Sequence, residues 1–122
     1  CAVALRNLQI IQDEDLPAQC AAKGDRLLSA LRAALGDHPH VGDIRGKGLM
    51  CAVELVADRS TRASFPAADG VGARLLQETT RRGLFSRVKA DTYVLAPPAV
   101  ITEDQLDRTV EILTDSIRTV LP

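Results

Sequence analysis

At 122 residues, 46% hydrophobic and 25% charged with a formal net charge of -1, the chain has the make-up of one small globular domain. A domain of this size buries about two-thirds of its unfolded surface. Neutral charge and only three aromatic residues (Phe65, Phe85 and Tyr93) argue against a nucleic-acid partner, which calls for a basic imbalance or stacking aromatics. No stretch reads as a signal peptide or a membrane span, so no membrane partner is expected.

The chain opens on CAVALRNLQII, already in helical register: Ala4, Leu8 and Ile11 share a face that Val3 and Leu5 extend. With no initiator Met, cap or polar leader, residue 1 reads as an internal position of a longer chain. Asp15-Leu16-Pro17 then signals a second helix, with Asp15 as cap and Pro17 in the first turn. Gly24, Leu28, Leu31 and Leu35 mark its buried stripe, and Gly36 is expected to end it in the left-handed conformation.

Residues 41–44 and 49–56 read as strands about an Arg45-Gly46-Lys47-Gly48 bend. Both faces of the second strand are mostly apolar, so one is expected to meet helices and the other a further part of the protein. A charged loop over 58–69 leads to a third helix, about 70–82, that Gly83 ends. Strands are expected at 84–87 and 93–96, with Pro97-Pro98 stopping the ladder. Thr102-Glu103-Asp104-Gln105 is a capping box, followed by a helix with Leu106, Val110, Leu113, Ile117 and Val120 on one face. The order of elements indicates an α+β fold: a small antiparallel or mixed sheet of about four strands with helices on one face.

Most candidate chemistry has a plain structural reading. GDIRGKG, residues 42–48, lacks the Ser/Thr after Lys that a phosphate loop needs, and reads as glycines at a tight bend. His38 and His40 flank Pro39 in a turn without further ligands at zinc-site spacing. Glu54 reads as a carboxylate at the sheet margin ahead of a general base, and Arg81-Arg82 complements a helix dipole. Cys1, Cys20 and Cys51 are odd in number and lack a C-x-x-C pair, which suits small buried residues in a reducing cytoplasm. Lys23, Lys47 and Lys89 all sit in polar settings, without the apolar surroundings that make a Schiff-base amine. Arg87 remains: a planar, permanently charged fork at a strand end among apolar residues, suited to gripping a carboxylate.

Taken in order, Arg45-Gly-Lys-Gly-Leu-Met with Ala-Val-Glu-Leu-Val, Gly-Leu-Phe-Ser-Arg, Val-Leu-Ala-Pro-Pro and Ile-Thr-Glu-Asp-Gln-Leu resemble the class III aminotransferases. These are fold type I enzymes dependent on pyridoxal 5'-phosphate. The resemblance covers nearly the whole chain and implies residues 1–12 as the end of an interdomain helix and 13–122 as the C-terminal small domain. It further implies a large domain elsewhere that holds the cofactor lysine, a homodimer, and amino-group transfer between an amine or ω-amino acid and a keto acid such as pyruvate. Cofactor binding by this stretch alone is not expected, and the isolated chain is expected to be inactive.

In the ω-amino-acid:pyruvate and diaminopelargonate synthase branches, an arginine after the G-L-x-x strand binds the substrate carboxylate, and Arg87 matches it. The ornithine, acetylornithine and 4-aminobutyrate branch instead places an arginine three residues before the first proline, which here is Val94. Relatives have Pro directly after the first of these arginines; this chain has Val88-Lys89-Ala90-Asp91, and Lys89 is a competitor for the anion. The competing reading from a different class is a non-catalytic α+β interaction module.

Overall fold

Helices and strands follow one another as α1 (Ala2–Asp13), α2 (Leu16–Leu35), β1 (Val41–Lys47), β2 (Met50–Leu55), α3 (Val71–Arg81), β3 (Arg87–Lys89), β4 (Thr92–Leu95) and α4 (Glu103–Val120). The computed structural model describes residues 1–122. The strands form one antiparallel sheet in the order β1-β2-β4-β3, with β1 and β3 at its edges. This is the α+β arrangement expected from the order of elements.

Alternation along the strands decides which face is covered. Ile44, Cys51, Val53, Leu55, Tyr93 and Leu95 point to one side, where they meet Leu27, Leu31 and Leu35 of α2, Leu75 of α3 and Leu113 and Ile117 of α4 in a single core. Leu31, Leu35, Leu75, Leu113 and Ile117 are wholly inaccessible, so truncating any one to Ala costs about 2–5 kcal/mol. No element of the chain covers the opposite face, where Met50 is 70% exposed. Helix α1 also stands apart, with no buried residue and with Val3, Leu5 and Leu8 exposed.

Local signals explain most element ends. The capping box before α4 is complete: Gln105 N–H donates to Thr102 Oγ1 at 3.3 Å, and Thr102 N–H donates to Gln105 Oε1 at 3.0 Å. Gly48 takes φ +54° in the bend between β1 and β2, the conformation glycine tolerates best. Helix α2 crosses that bend so closely that a Cβ on Gly24 would lie 2.1 Å from the Gly48 carbonyl oxygen.

Three expectations are corrected. Gly36 is right-handed (φ -58°), and a Cβ there would crowd the Arg32 carbonyl oxygen at 2.4 Å; absence of a side chain matters, not the left-handed conformation. Asp15 is the N-cap residue of α2, but it takes φ +46° and its side chain makes no cap hydrogen bond. The third strand lies at 87–89, not 84–87, because the hairpin turn is only Ala90-Asp91 and Lys89 pairs with Thr92. Upstream, the Ser86 hydroxyl donates to the Val94 carbonyl. Arg87 therefore begins its strand.

Candidate functional site

Pairing register sets out the uncovered face in rows. Arg87 lies opposite Val94, Val94 opposite Ala52, and Ala52 opposite Arg45. The neighbouring row runs Lys89, Thr92, Glu54, Asp43. Asp43 belongs to that second row through the register running from the hairpin turn, and the register shift between Val41 and Asp43 lies beyond it. Two arginines thus share a row at opposite edges of the sheet.

Their surroundings differ. Arg45 donates from Nη1 to Asp43 Oδ2 at 2.8 Å and to Glu54 Oε2 at 2.5 Å, and hydrogen bonds to Asp43 and then Glu54 raise its pKa further. Glu54 is therefore the anion of a half-exposed ion pair, held through Oε2 by Arg45. Arg87 is exposed, and its guanidinium forms no ion pair or hydrogen bond in the structure. It borders an open cleft of about 530 Å³ between residues 84–87 and the Val94–Pro98 segment. Ile101 and Thr109 form the far wall, and Phe85, 85% exposed, stands beside the arginine. An unpaired guanidinium at such a cleft offers two parallel N–H donors to a carboxylate.

The frame around Arg87 is fixed from several directions. The Leu84 N–H donates to the Thr79 carbonyl at 2.8 Å, and the buried Tyr93 hydroxyl donates to Thr79 Oγ1 at 2.9 Å. Burial pushes the Tyr93 pKa up, so the phenol stays a donor. The hairpin turn rests on α3 at Gly72, where a Cβ would sit 2.0 Å from the Ala90 carbonyl oxygen. Across the cleft, Lys23 Nζ of α2 donates to the Ala99 carbonyl at 2.7 Å and ties down the segment after Pro97-Pro98. These anchors were missed in the sequence: a Lys–carbonyl bond spanning 76 positions has no local signal. Thr79, the partner of Tyr93, follows Val71 and Leu75 at helical spacing on the apolar side of α3, which marks a buried hydroxyl in need of a partner.

The remaining candidates do not converge. His38 Nδ1 accepts from the His40 N–H at 3.2 Å, and His40 Nδ1 bonds the Val56 carbonyl at 3.0 Å, so both rings serve the α2–β1 loop. Residues 42–47 lie in β1 and only Gly48 and Leu49 form the turn, so the segment expected as a bend is mostly strand, with no helix N-terminus. Glu78 binds Arg81 and Arg82, which hold its carboxyl at about 2. Of the lysines, Lys23 is engaged with Ala99, while Lys47 and Lys89 are exposed. None stands in an enclosed pocket beside a carboxylate, so these residues do not fit the anchor that pyridoxal phosphate needs, and no step through the cofactor follows from them.

The fold is that of a fold type I aminotransferase domain. A (S)-enantioselective omega-transaminase from Thermomicrobium roseum superposes with a TM-score of 0.94 at 41% identity, over 100% of this chain and 27% of its own. The family model for Aminotransferase class-III matches residues 1–117, and the chain belongs to the class III aminotransferases. An adenosylmethionine-8-amino-7-oxononanoate aminotransferase from Nitratidesulfovibrio vulgaris is 40% identical over 117 residues, 96% of this chain and 21% of the relative. Gamma-aminobutyrate transaminase 1 of Oryza sativa subsp. indica is 35% identical over 118 residues, 97% of this chain and 23% of the relative. The chain spans about a quarter of the length of the relatives it matches.

Proposed function

We propose that this chain is the C-terminal small domain of a pyridoxal-phosphate-dependent transaminase, with residues 1–12 ending an interdomain helix, and that Arg87 binds the substrate carboxylate. The reaction is amino-group transfer between an amine or ω-amino acid and a keto acid such as pyruvate, in a cytoplasmic homodimer. The cofactor supplies the electron sink for that chemistry, held by residues of the large domain. This chain supplies orientation: Arg87 grips the carboxylate from the sheet edge, and the cleft beside it takes the remainder of the substrate. The uncovered sheet face and the apolar side of α1 dock the large domain.

The observation that carries this reading is the unpartnered Arg87 on a hairpin braced at both ends. Val94 opposite it favours the ω-amino-acid:pyruvate branch. In the intact transaminase, Arg87→Ala lowers kcat/KM for a carboxylate substrate by about 100-fold, the loss of two charge-assisted hydrogen bonds. Reaction with a simple amine donor falls less than about threefold. Equal losses for both substrates would remove the assigned role. A non-catalytic module would instead leave both rates untouched.

A further inference from the structure

We propose that Ser86 is a positioning residue for Arg87: its hydroxyl, clamped on the Val94 carbonyl, holds the arginine where it meets the substrate carboxylate. This rests on the reading of Arg87 as the carboxylate-binding group. Arg87 is the first residue of a short edge strand, the kind of place where a ladder frays most easily. Ser86 stands one residue ahead of it, half-buried in the wall of the same cleft. Its hydroxyl donates to Val94, the residue paired with Arg87. The bond therefore closes the open end of β3 at the backbone position that carries the guanidinium.

The clamp belongs to a chain of hydroxyls that runs into the core. Tyr93, wholly inaccessible and next to Val94 in β4, donates to Thr79 Oγ1 at 2.9 Å, with the Ser86 hydroxyl within reach of the same phenol. Thr79 Oγ1 donates in turn to the Leu76 carbonyl at 3.1 Å, and the Thr79 carbonyl accepts the Leu84 N–H at 2.8 Å. Helix α3 thus holds both Tyr93 and the chain two residues before Ser86. The guanidinium of Arg87 has no such restraint, since no side chain or carbonyl of the chain engages it. Its backbone is fixed and its donors are left for a ligand, the division of labour that a binding arginine needs. A displacement of about 1 Å at such a position is enough to cost substrate binding.

A half-buried serine also bonds a nearby carbonyl simply to satisfy its own hydroxyl. That role and the proposed one separate on kinetics. The intact transaminase is assayed with pyruvate, which carries a carboxylate, and with isopropylamine, which carries none. Ser86→Ala raises the KM for pyruvate about five- to tenfold, while kcat and the KM for isopropylamine stay within about twofold. Ser86→Thr keeps the hydroxyl and restores the pyruvate KM. Ser86→Cys keeps the shape with only a weak donor and raises the same KM, so the test does not depend on the alanine variant folding. In an Arg87→Ala background, Ser86→Ala adds less than about twofold, because the residue it positions is gone. Equal rises in both KM values, a fall in kcat alone, or an additive effect in that background overturns the proposal. Where Arg87→Ala raises the pyruvate KM and the Ser86 variants do not, only the role of Ser86 fails. Where Arg87→Ala leaves that KM unchanged, the reading beneath it fails as well.

Discussion

The two edges of the sheet carry the same residue type to opposite ends. On β1, Arg45 is closed off by Asp43 and Glu54 and serves the sheet itself. On β3, Arg87 lies in the same cross-strand row with Val94 beside it and makes no ion pair within the chain. Sequence alone puts Arg45 in a bend and Arg87 at a strand end. What separates them is whether the same-face neighbours, two positions away on the strand and diagonally across the ladder, bring carboxylates, as Asp43 and Glu54 do for Arg45.

The comparison can be broken by moving an acid from one edge to the other. Val94→Glu places a carboxylate directly opposite Arg87, with Cβ atoms about 5 Å apart. It makes Arg87 resemble Arg45, so kcat/KM of the intact transaminase for a carboxylate substrate falls about 10- to 100-fold, while an amine donor is little affected. Denaturant unfolding stays within about 1 kcal/mol, since the side chain is half-buried at an open face. A variant that keeps its carboxylate kinetics would show that Arg87 is free to ignore a neighbouring anion, and the role assigned to it would fail.

Two smaller changes sharpen the contrast. Ala90 holds φ +51° in the turn that sets β3 against β4. Non-glycine residues resist that conformation, so Ala90→Gly stabilises the fold by about 1 kcal/mol, read as a higher denaturation midpoint. Arg45→Ala leaves Asp43 and Glu54 adjacent without their cation. The pair is roughly half exposed, so the loss is below about 1 kcal/mol and substrate kinetics do not change. A kinetic effect as large as that of Arg87→Ala would erase the distinction between the edges.

Much of this arrangement was legible in the residues. Helical spacing found all four helices, and the capping box located the start of α4 within the sequence, because those interactions are local. Arg87 stood out because an arginine among apolar residues demands a partner or water. The features that escaped are the ones that depend on distant chain. Glu54 could not be paired with Arg45 while residues 45–48 read as a bend; the strands in fact pair out to Lys47 and Met50, which puts the two on one face. The start of β3 moved by three residues because a two-residue turn draws Val88 and Lys89 into the ladder, where they had read as loop. Gly36 was assigned its usual left-handed role, whereas the local crowding at Arg32 needs only a missing Cβ.

The smallest expected effect concerns acid rather than substrate, and it falls outside both edges. His38 has its pKa lowered, first by burial and then by the nearby His40, against an opposing hydrogen bond to the Leu121 backbone and with a smaller push down from Arg118. Its neutral ring accepts the His40 N–H, a bond the protonated ring cannot make at that nitrogen. The folded chain therefore prefers the neutral form, and the unfolded chain binds the proton first. Stability from His38 is fully present above the ordinary value of about 6.5 and declines as pH falls below it, toward the lowered folded value. Glu78 acts in a lower window: bonds from Arg81 and then Arg82 hold it at about 2, so its contribution is present above about 4.5 and is lost as pH falls from there. His38→Asn keeps an acceptor for the His40 N–H and removes the titration. Denaturant midpoints of the two chains should converge in mildly acidic buffer while the drop below about 4.5 persists in both; a parallel decline in the upper window would place the sensitive group elsewhere.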